Sequence, residues 1–216
     1  MNFPSLDDFK ITSNNIKGYI NETEIIYSST INEKFNSNIY FKLELFQKTG
    51  SFKARGAINK VLKLSKEERK KGVITISAGN HAQAISWACS KFNIKSKIIM
   101  PFDASPSKIE ATKSYGGEVV LTKNNMLDEC NKIQDKEGSK FIHPFDDIDI
   151  ILGQGTLGLE IINQVRNLDY VFISIGGGGL ISGISCVLKS INPKIKIIGV
   201  EPINSNVMTK SISSNQ

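Results

Sequence analysis

The stretch that decides the fold runs from Val73 to Ser90 and reads VITISAGNHAQAISWACS. It begins with four β-branched residues, Val73–Ile76, continues through the small residues Ser77, Ala78 and Gly79, and ends with apolar residues at helical spacing. This pattern predicts a buried strand, a tight turn and a helix over 81–92. In an open α/β sheet, turns of this kind lie at the carboxyl ends of strands, where ligands bind.

The same alternation of strand and helix extends in both directions along the chain. Further strands are predicted at Ile39–Leu43, Lys97–Met100, Glu118–Thr122, Tyr170–Ile175 and Lys196–Val200. Further helices are predicted at Ser51–Leu64, Pro106–Tyr115, Asn125–Lys136, Thr156–Asn167 and Leu180–Ser190. Strand followed by helix, repeated, predicts an α/β fold with parallel sheets covered by helices on both faces.

Composition excludes several classes of protein. The chain has 216 residues, 40% of them hydrophobic, with no apolar run near the roughly 18 residues that span a bilayer. Its net charge of +6 comes from scattered lysines rather than clustered arginines, which argues against a nucleic-acid partner. An acidic N-terminus without an apolar segment, together with three widely spaced cysteines, favours a reducing, cytoplasmic location without disulfides or a zinc site.

The first of three unusual turns is TGSFKARG, residues 49–56, which opens a predicted helix. Lys53 lies near the helix N-terminus, where the macrodipole and the apolar neighbour Phe52 disfavour the charged amine. A neutral amine is what a nucleophilic or Schiff-base lysine requires. Taken alone, the stretch is better explained by an ordinary surface lysine.

The second turn is Ser77–His81, between the buried strand and its helix. Small residues there allow backbone N–H groups at a helix N-terminus to face a carboxylate, and the Asn80 amide can bind a ring oxygen. An ordinary helix N-cap explains the same residue types equally well.

The third turn contains four consecutive glycines, Gly176–Gly179, followed by Leu180. Glycines are entropically costly in regular structure, so four together indicate a backbone that approaches a ligand closely. A phosphate is the expected ligand at such a loop. The turn lacks the Lys-Ser/Thr ending of a P-loop, which disfavours a nucleoside triphosphate.

A separate motif, GQGTLG at Gly153–Gly158, matches the dinucleotide-binding pattern and follows the strand-like Ile148–Leu152. A nucleotide-binding Rossmann module is therefore an alternative. We interpret the motif instead as a helix entry packed closely on a strand, because a dinucleotide fold would place it near its start and would leave the four glycines unexplained.

A reactive lysine, an amide-bearing turn and a glycine loop together fit one cofactor, pyridoxal phosphate. The segments that carry a family resemblance occur in this order: KLELFQKTGSFKARGAINK (42–60), ISAGNHAQA (76–84), FIHPFDD (141–147), GQGT (153–156), GGGGLISG (176–183) and GVEP (199–202). They resemble the threonine/serine dehydratase branch of fold-type II pyridoxal-phosphate enzymes, a group that includes serine racemases. The resemblance covers about residues 36–202.

The resemblance implies a role for each matching residue. Lys53 forms the Schiff base with the cofactor and moves the substrate α-proton, while Phe52 packs beside the pyridine ring and Asn80 binds the ring 3-oxygen. The residues expected to hold the phosphate are Gly176, Gly177, Gly178, Gly179 and Leu180. The residues expected to receive the substrate carboxylate are Ser77, Ala78, Gly79, Asn80 and His81.

The resemblance also implies a two-lobed fold with parallel-rich twisted sheets and the cofactor between the lobes. Residues 1–49 and 146–216 would form the larger lobe, and residues 50–145 the smaller one. The larger lobe is expected to be incomplete, because family catalytic domains continue beyond GVEP and there supply the group that faces the pyridine nitrogen. No metal site is expected, since Val207 stands where an acidic partner of Glu201 would be needed.

The expected function is a threonine or serine ammonia-lyase, which would remove the β-hydroxyl and give a 2-oxo acid and ammonia. Racemases of the family carry a second acid/base serine where this chain has Ala78, which favours elimination over racemisation. A serine racemase and a 3-hydroxyaspartate dehydratase are lesser alternatives. The main alternative is a truncated, non-catalytic remnant or one half of a split enzyme, and the expected partners are a homo-oligomer or a separate C-terminal chain.

Overall fold

The computed structural model describes residues 3–214, which form an α/β structure with three small sheets. Its strands are β1 (Ile25–Tyr27), β2 (Tyr40–Lys42), β3 (Val73–Ile76), β4 (Ser96–Pro101), β5 (Glu118–Thr122), β6 (Lys140–Phe141), β7 (Tyr170–Ser174) and β8 (Lys196–Val200). Its helices are α1 (Leu6–Ile16), α2 (Ser29–Phe35), α3 (Lys53–Leu62), α4 (Lys66–Lys71), α5 (Asn80–Ser90), α6 (Pro106–Ser114), α7 (Met126–Glu137), α8 (Ile148–Gln164), α9 (Gly179–Ile191) and α10 (Val207–Ser214).

The largest sheet is parallel, with strand order β5-β4-β3-β6. Alternate residues of a strand point to opposite faces, so β3 contributes to two different cores. Val73 packs in the cluster that contains Ala57 of α3 and Ile85 of α5. Ile74 packs in the cluster that contains Cys130 of α7. Helices therefore cover both faces of this sheet, as the alternating pattern predicts.

The other two sheets have two strands each. Strands β7 and β8 are parallel, with Phe172 opposite Ile198, and α8 and α9 cover one of their faces. Strands β1 and β2 are antiparallel, with Ile26 opposite Phe41. The strand and helix predictions from residue 73 to residue 137 agree with the structure to within two residues at each boundary.

The prediction of a strand over Ile148–Leu152, followed by a helix from Thr156, is wrong. Both stretches belong to the single helix α8, which begins after Asp147, whose carboxylate accepts the backbone N–H of Asp149 at 2.9 Å. A run of apolar residues does not by itself distinguish a buried helix from a buried strand.

The glycines of GQGTLG lie inside α8, where they allow close contact with neighbouring helices. A Cβ at Gly153 would lie 2.5 Å from the Cα of Gly56 in α3, and one at Gly155 would overlap the Phe9 ring. The interpretation of this motif as a helix entry packed on a strand is therefore wrong. The motif is not a loop that could hold a dinucleotide either.

The segment after Glu201 includes the helix α10, Val207–Ser214. Glu201 accepts the backbone N–H groups of Met208 and Thr209, at 2.9 and 2.8 Å, which places its carboxylate at the start of this helix. Hydrogen bonds from Thr209 are the main reason why the pKa of Glu201 lies below its usual value.

Within residues 3–214, no helix has the length and apolar character needed to cross a membrane. The same residues contain no group of three or more histidine, cysteine or acidic side chains that could hold a metal ion. Cys89, Cys130 and Cys186 are free thiols, of which the first two are buried and the third is partly exposed.

Candidate active site

Lys53 is the first residue of α3, and its side chain turns into the interior. Its Nζ donates to the main-chain oxygen of Pro144 at 2.7 Å and lies 5.4 Å from the centre of the Phe52 ring. Burial lowers the pKa of Lys53 from 10.5 to about 8. The sequence predicts such a shift from the helix dipole and the apolar neighbour, whereas desolvation accounts for it in the structure.

The turn Ser77–Asn80 leads from β3 into α5. The Ser77 hydroxyl accepts the backbone N–H of Gly79 at 3.3 Å, and Gly79 occupies the N-cap position without a side-chain cap. The alternative of an ordinary N-cap supplied by the asparagine or serine of this turn is therefore wrong, since neither side chain caps α5 and Asn80 lies inside its first turn. A Cβ at Gly79 would meet no atom within 4 Å, so the turn borders open space.

His81 follows in α5 and is 3% exposed. Its ring nitrogens are buried, and the backbone of Ile142 is the polar group that acts on them. Burial, and then the charge of Lys53, lower the pKa of His81 to about 3. The imidazole is therefore neutral at physiological pH and lies within reach of the Lys53 charge.

The four glycines connect β7 to α9, and three of them have a steric reason in the chain itself. Gly178 has φ +89°, a conformation that other residues rarely adopt. A side chain at Gly177 would overlap the ring of Phe145, and one at Gly179 would lie 2.9 Å from the Phe145 carbonyl oxygen. Gly176 differs, because its Cβ would meet nothing within 4 Å and would project into open space.

The segment His143–Asp146 joins these parts, although the sequence analysis assigns no role to it beyond family resemblance. The Pro144 carbonyl contacts Lys53, and Phe145 packs on the glycine loop. His143 holds the bend, since its Nδ1 accepts the N–H of Asp146 at 2.8 Å and its ring contacts Phe145 at 4.5 Å between centres. The signal for this segment is a proline between two aromatic side chains, directly after β6.

The structure thus places the predicted residues in two connected groups. Lys53, Phe52 and His81 lie together near Pro144, and the turn Ser77–Asn80 directly precedes His81. The glycine loop with Leu180 is linked to this group through Phe145. An amine with a lowered pKa and two helix N-termini without side-chain caps are features that suit a small anionic ligand with a carbonyl group.

Comparison with known families bears on this arrangement. The family model described as pyridoxal-phosphate dependent enzyme matches residues 16–216. The chain belongs to this family.

Similar members of the pyridoxal-phosphate dependent family include two bacterial enzymes. The chain is 45% identical to an L-threonine ammonia-lyase of Thermotoga maritima, over 96% of this chain and 53% of that protein. It is 43% identical to the catabolic L-threonine dehydratase TdcB of Escherichia coli K12, over 98% of this chain and 65% of that protein. The chain thus spans between about half and two thirds of the length of these relatives.

A solved member of the family has the same fold. The crystal structure of serine racemase from Dictyostelium discoideum matches with a TM-score of 0.93 and 40% identity, over 98% of this chain and 70% of that one. This agreement supports the fold-type II assignment made from the sequence.

The residues present fit the cofactor of the family. Pyridoxal phosphate has an aldehyde that needs a neutral amine, and a phosphate that needs backbone N–H donors. Lys53 supplies an amine with a lowered pKa. The uncapped start of α9 and the open space at Gly176 supply room and donors for an anion.

Proposed function

We propose that this chain contributes the cofactor lysine and the phosphate loop of an ammonia-lyase that acts on L-threonine or L-serine. The reaction removes the β-hydroxyl as water, and hydrolysis then releases ammonia and a 2-oxo acid, which is 2-oxobutanoate when threonine is the substrate. The observation that carries the proposal is the geometry of Lys53, a largely buried amine with a pKa of about 8 that donates to Pro144, the neighbour of the Phe145 that packs on the glycine loop. The threonine ammonia-lyase and dehydratase relatives support this substrate class.

Lys53 would hold the cofactor and carry the α-proton. At a pKa of about 8, about a tenth of the Lys53 side chains are uncharged at pH 7, against fewer than about one in a thousand for an ordinary lysine. Pyridoxal phosphate, when bound, withdraws electrons from the substrate α-carbon. The protein must then position the amine against that carbon, a task suited to the first residue of a well-packed helix.

The anionic groups would be bound at the two helix starts. The glycine loop, Gly176–Gly179 with Leu180, would bind phosphate through backbone N–H groups at the N-terminus of α9. The turn Ser77–His81 would bind the substrate carboxylate at the N-terminus of α5, and the exposed Asn80 amide would donate to the cofactor ring oxygen. Neutral His81, buried behind this turn, would keep a second positive charge away from the Lys53 amine.

Serine racemisation is the second candidate, favoured by the match to the D. discoideum racemase structure. Racemisation requires a proton donor on each face of the α-carbon. Ala78 stands next to Ser77 in the carboxylate turn, and its methyl group can neither donate nor accept a proton. Elimination from one face therefore remains the better-supported reaction, and 3-hydroxyaspartate is a further possible substrate of the same chemistry.

The site is tested by adding pyridoxal phosphate to the purified chain and following the visible absorbance of the lysine-bound cofactor. We expect a saturable band that Lys53→Ala abolishes and that Lys48→Ala, a change at an exposed lysine five residues earlier, preserves. A band of equal intensity in Lys53→Ala would contradict the assignment of Lys53. Absence of any band in the native chain would favour the non-catalytic alternative.

The reaction is tested next, in the same preparation. We expect 2-oxobutanoate from threonine, measured with a hydrazine reagent, and little D-serine from L-serine. The variant Ala78→Ser should raise the ratio of racemisation to elimination, because it restores a hydroxyl in the carboxylate turn. Abundant D-serine from the native chain would reject the lyase proposal in favour of the racemase.

A division into two lobes is also part of the proposal, on the basis of the family resemblance. We infer that residues 50–145 form a smaller lobe, that residues 1–49 and 146–216 contribute to a larger one, and that the cofactor lies between them. The three free thiols agree with a cytoplasmic location. The proposed partners are a small hydroxy amino acid and either a second copy of this chain or a separate C-terminal chain.

A further inference from the structure

Helix α3 begins at Lys53 without a local side-chain cap, so the position of the amine depends on how the helix is held elsewhere. A helix start is usually fixed by a capping side chain that binds the first backbone N–H groups. Here the preceding residue, Phe52, makes no such bond. Any shift of the first turn would move Lys53 with it.

Arg55, two residues further on, is completely buried and binds two carboxylates from two different elements. Its Nε and Nη2 donate to Glu44, in the 3-10 turn Glu44–Phe46, at 2.8 and 2.7 Å. Its Nη1 and Nη2 donate to Glu160 of α8 at 2.5 and 2.9 Å. Two hydrogen bonds from one guanidinium to one carboxylate fix the orientation of the arginine side chain as well as its distance from the carboxylate.

The charges of this group are balanced inside the protein. Lys42 of β2 donates to Glu160 at 2.6 Å, and the Thr23 hydroxyl donates to Glu44 at 2.7 Å. Two cationic and two anionic side chains thus form one network of low exposure. Burial alone would lower the pKa of Arg55, but its bonds to Glu44 and Glu160 raise it above its usual value, so the guanidinium remains charged.

Gly56, the next residue in the first turn of α3, is held by a hydrogen bond between uncharged groups. Gln154 of α8 is 1% exposed, and its Oε1 accepts the backbone N–H of Gly56 at 3.2 Å. Gly153 contacts Gly56 so closely that a Cβ there would lie 2.5 Å from the Gly56 Cα. Helix α8 therefore binds the first turn of α3 by side chain and by backbone contact.

We propose that Glu44, Arg55, Gln154 and Glu160 form an α3–α8 clamp whose function is to position Lys53. The clamp residues are positioning residues, because Arg55 acts on the amine only through the helix that both share. A buried ion pair is weak support for stability, since apolar residues of similar volume often serve as well. A positioning role explains why a fully buried arginine with four charge-assisted bonds lies two residues from the amine.

This inference rests on Lys53 being the cofactor lysine, as proposed above, but its test requires no cofactor. The rate at which trace acetic anhydride acylates Lys53 is measured against pH by mass spectrometry, with exposed Lys48 as an internal reference. In the native chain, we expect the Lys53 profile to have its midpoint near pH 8. The titratable neighbours His81 and His143 are present in every variant, so their charges do not differ.

Two variants loosen the clamp to different degrees. Arg55→Lys retains the positive charge but cannot make paired hydrogen bonds to Glu44 and Glu160. Gln154→Met removes the side-chain oxygen that accepts the Gly56 N–H, at nearly constant side-chain volume. If Lys53 becomes more solvated, its profile moves toward that of an ordinary lysine, and acylation at pH 7 falls by about tenfold or more for each pKa unit regained. We expect about tenfold for Arg55→Lys and about threefold for Gln154→Met, with Lys48 unchanged.

The control is Glu137→Gln, which removes a 2.5 Å ion pair with Lys97 that lies outside the clamp and should leave the Lys53 profile unchanged. A native profile near that of Lys48, or unaltered profiles in variants that retain native circular dichroism, would overturn the proposal. If Arg55→Lys does not fold, Gln154→Met decides in the same way. A third outcome is a native chain that shows no cofactor band but a Lys53 acylation profile with its midpoint near pH 8. That result would reject the proposed function without contradicting the clamp.

Discussion

Burial favours the uncharged form of both Lys53 and His81, by different amounts. The Lys53 amine keeps one hydrogen bond, to Pro144, and its pKa lies at about 8. His81 is more completely buried, and its pKa lies at about 3. An amine that is partly uncharged near pH 7 thus lies close to an imidazole that stays neutral over the whole physiological range.

The His81 shift predicts a pH-dependent stability. Because the unfolded chain binds the histidine proton at a pKa of 6.5 and the folded one only at about 3, the free energy of unfolding falls as pH decreases between these values. Linkage gives a loss of about 2 kcal/mol from this group between pH 7 and pH 5. Urea unfolding at both pH values should show that loss in the native chain and a smaller one in His81→Leu. Equal losses in both proteins would contradict the burial of an uncharged ring.

At the scale of elements, glycines in the glycine loop have two different structural roles. Gly177 makes room for Phe145, whereas Gly176 faces open space. Sequence alone groups all four glycines as a ligand loop, because a run of identical residues carries no sign of which neighbour each one meets.

Adjacent alanine substitutions in this loop should therefore differ. We expect Gly177→Ala to lower the free energy of unfolding by about 1–3 kcal/mol through overlap with the Phe145 ring. Gly176→Ala should change it by less than about 0.5 kcal/mol, yet raise the pyridoxal-phosphate concentration needed for half-saturation. Chemical denaturation and cofactor titration of the two variants measure these effects, and the opposite order would reject the assigned contacts.

Helices and strands were predicted correctly where the local residue pattern determines them. They were predicted wrongly where contacts with other helices determine the structure. Strands β3–β5 and helices α5–α7 follow from β-branched runs, from Pro106 at a helix start and from Asn125 as a cap. Ile148–Leu152 was indistinguishable from a strand by composition, and only contact with α3 and α9 makes the glycines of α8 acceptable in a helix. Short helices such as α4, closed by its own Ser65–Glu68 capping box, carry too little apolar pattern to be found.

The candidate site followed the same division. Lys53 and the two turns were predicted together, from the combination of the three turns and from the family resemblance, since neither Lys53 nor Ser77–His81 stands out alone. The contact with Pro144 could not be predicted from the sequence. The hydrogen-bond acceptor there is a main-chain oxygen, and Pro144 lies 91 residues from Lys53 along the chain.

At the scale of the whole molecule, the outer face of β7–β8 is apolar and exposed. Tyr170 and Phe172 are 49% and 70% exposed, and Ile198 and Val200 lie beside them on the same face. Within residues 3–214, β7 and β8 pair only with each other. An apolar face of this kind indicates a contact surface and, in the isolated chain, a tendency to self-associate.

Neighbouring residues of β7 should respond differently to the same substitution. Phe172→Ser should reduce binding of a hydrophobic dye and light scattering at high concentration, with little change in unfolding. Ile173→Ser, at a side chain that is 4% exposed, should cost about 2–5 kcal/mol of stability because it removes core packing. Unchanged dye binding in Phe172→Ser would show that this face does not dominate the exposed apolar surface.

The bond from Lys53 to the Pro144 carbonyl has one more consequence. Every amino acid at position 144 would present the same oxygen, so side-chain replacement leaves the acceptor intact, and alanine scanning would assign it no importance. Backbone chemistry can reach it: an ester in place of the peptide bond between Pro144 and Phe145 would weaken the oxygen as an acceptor. Selection on this contact would consequently act on the shape of the bend rather than on the identity of any one residue.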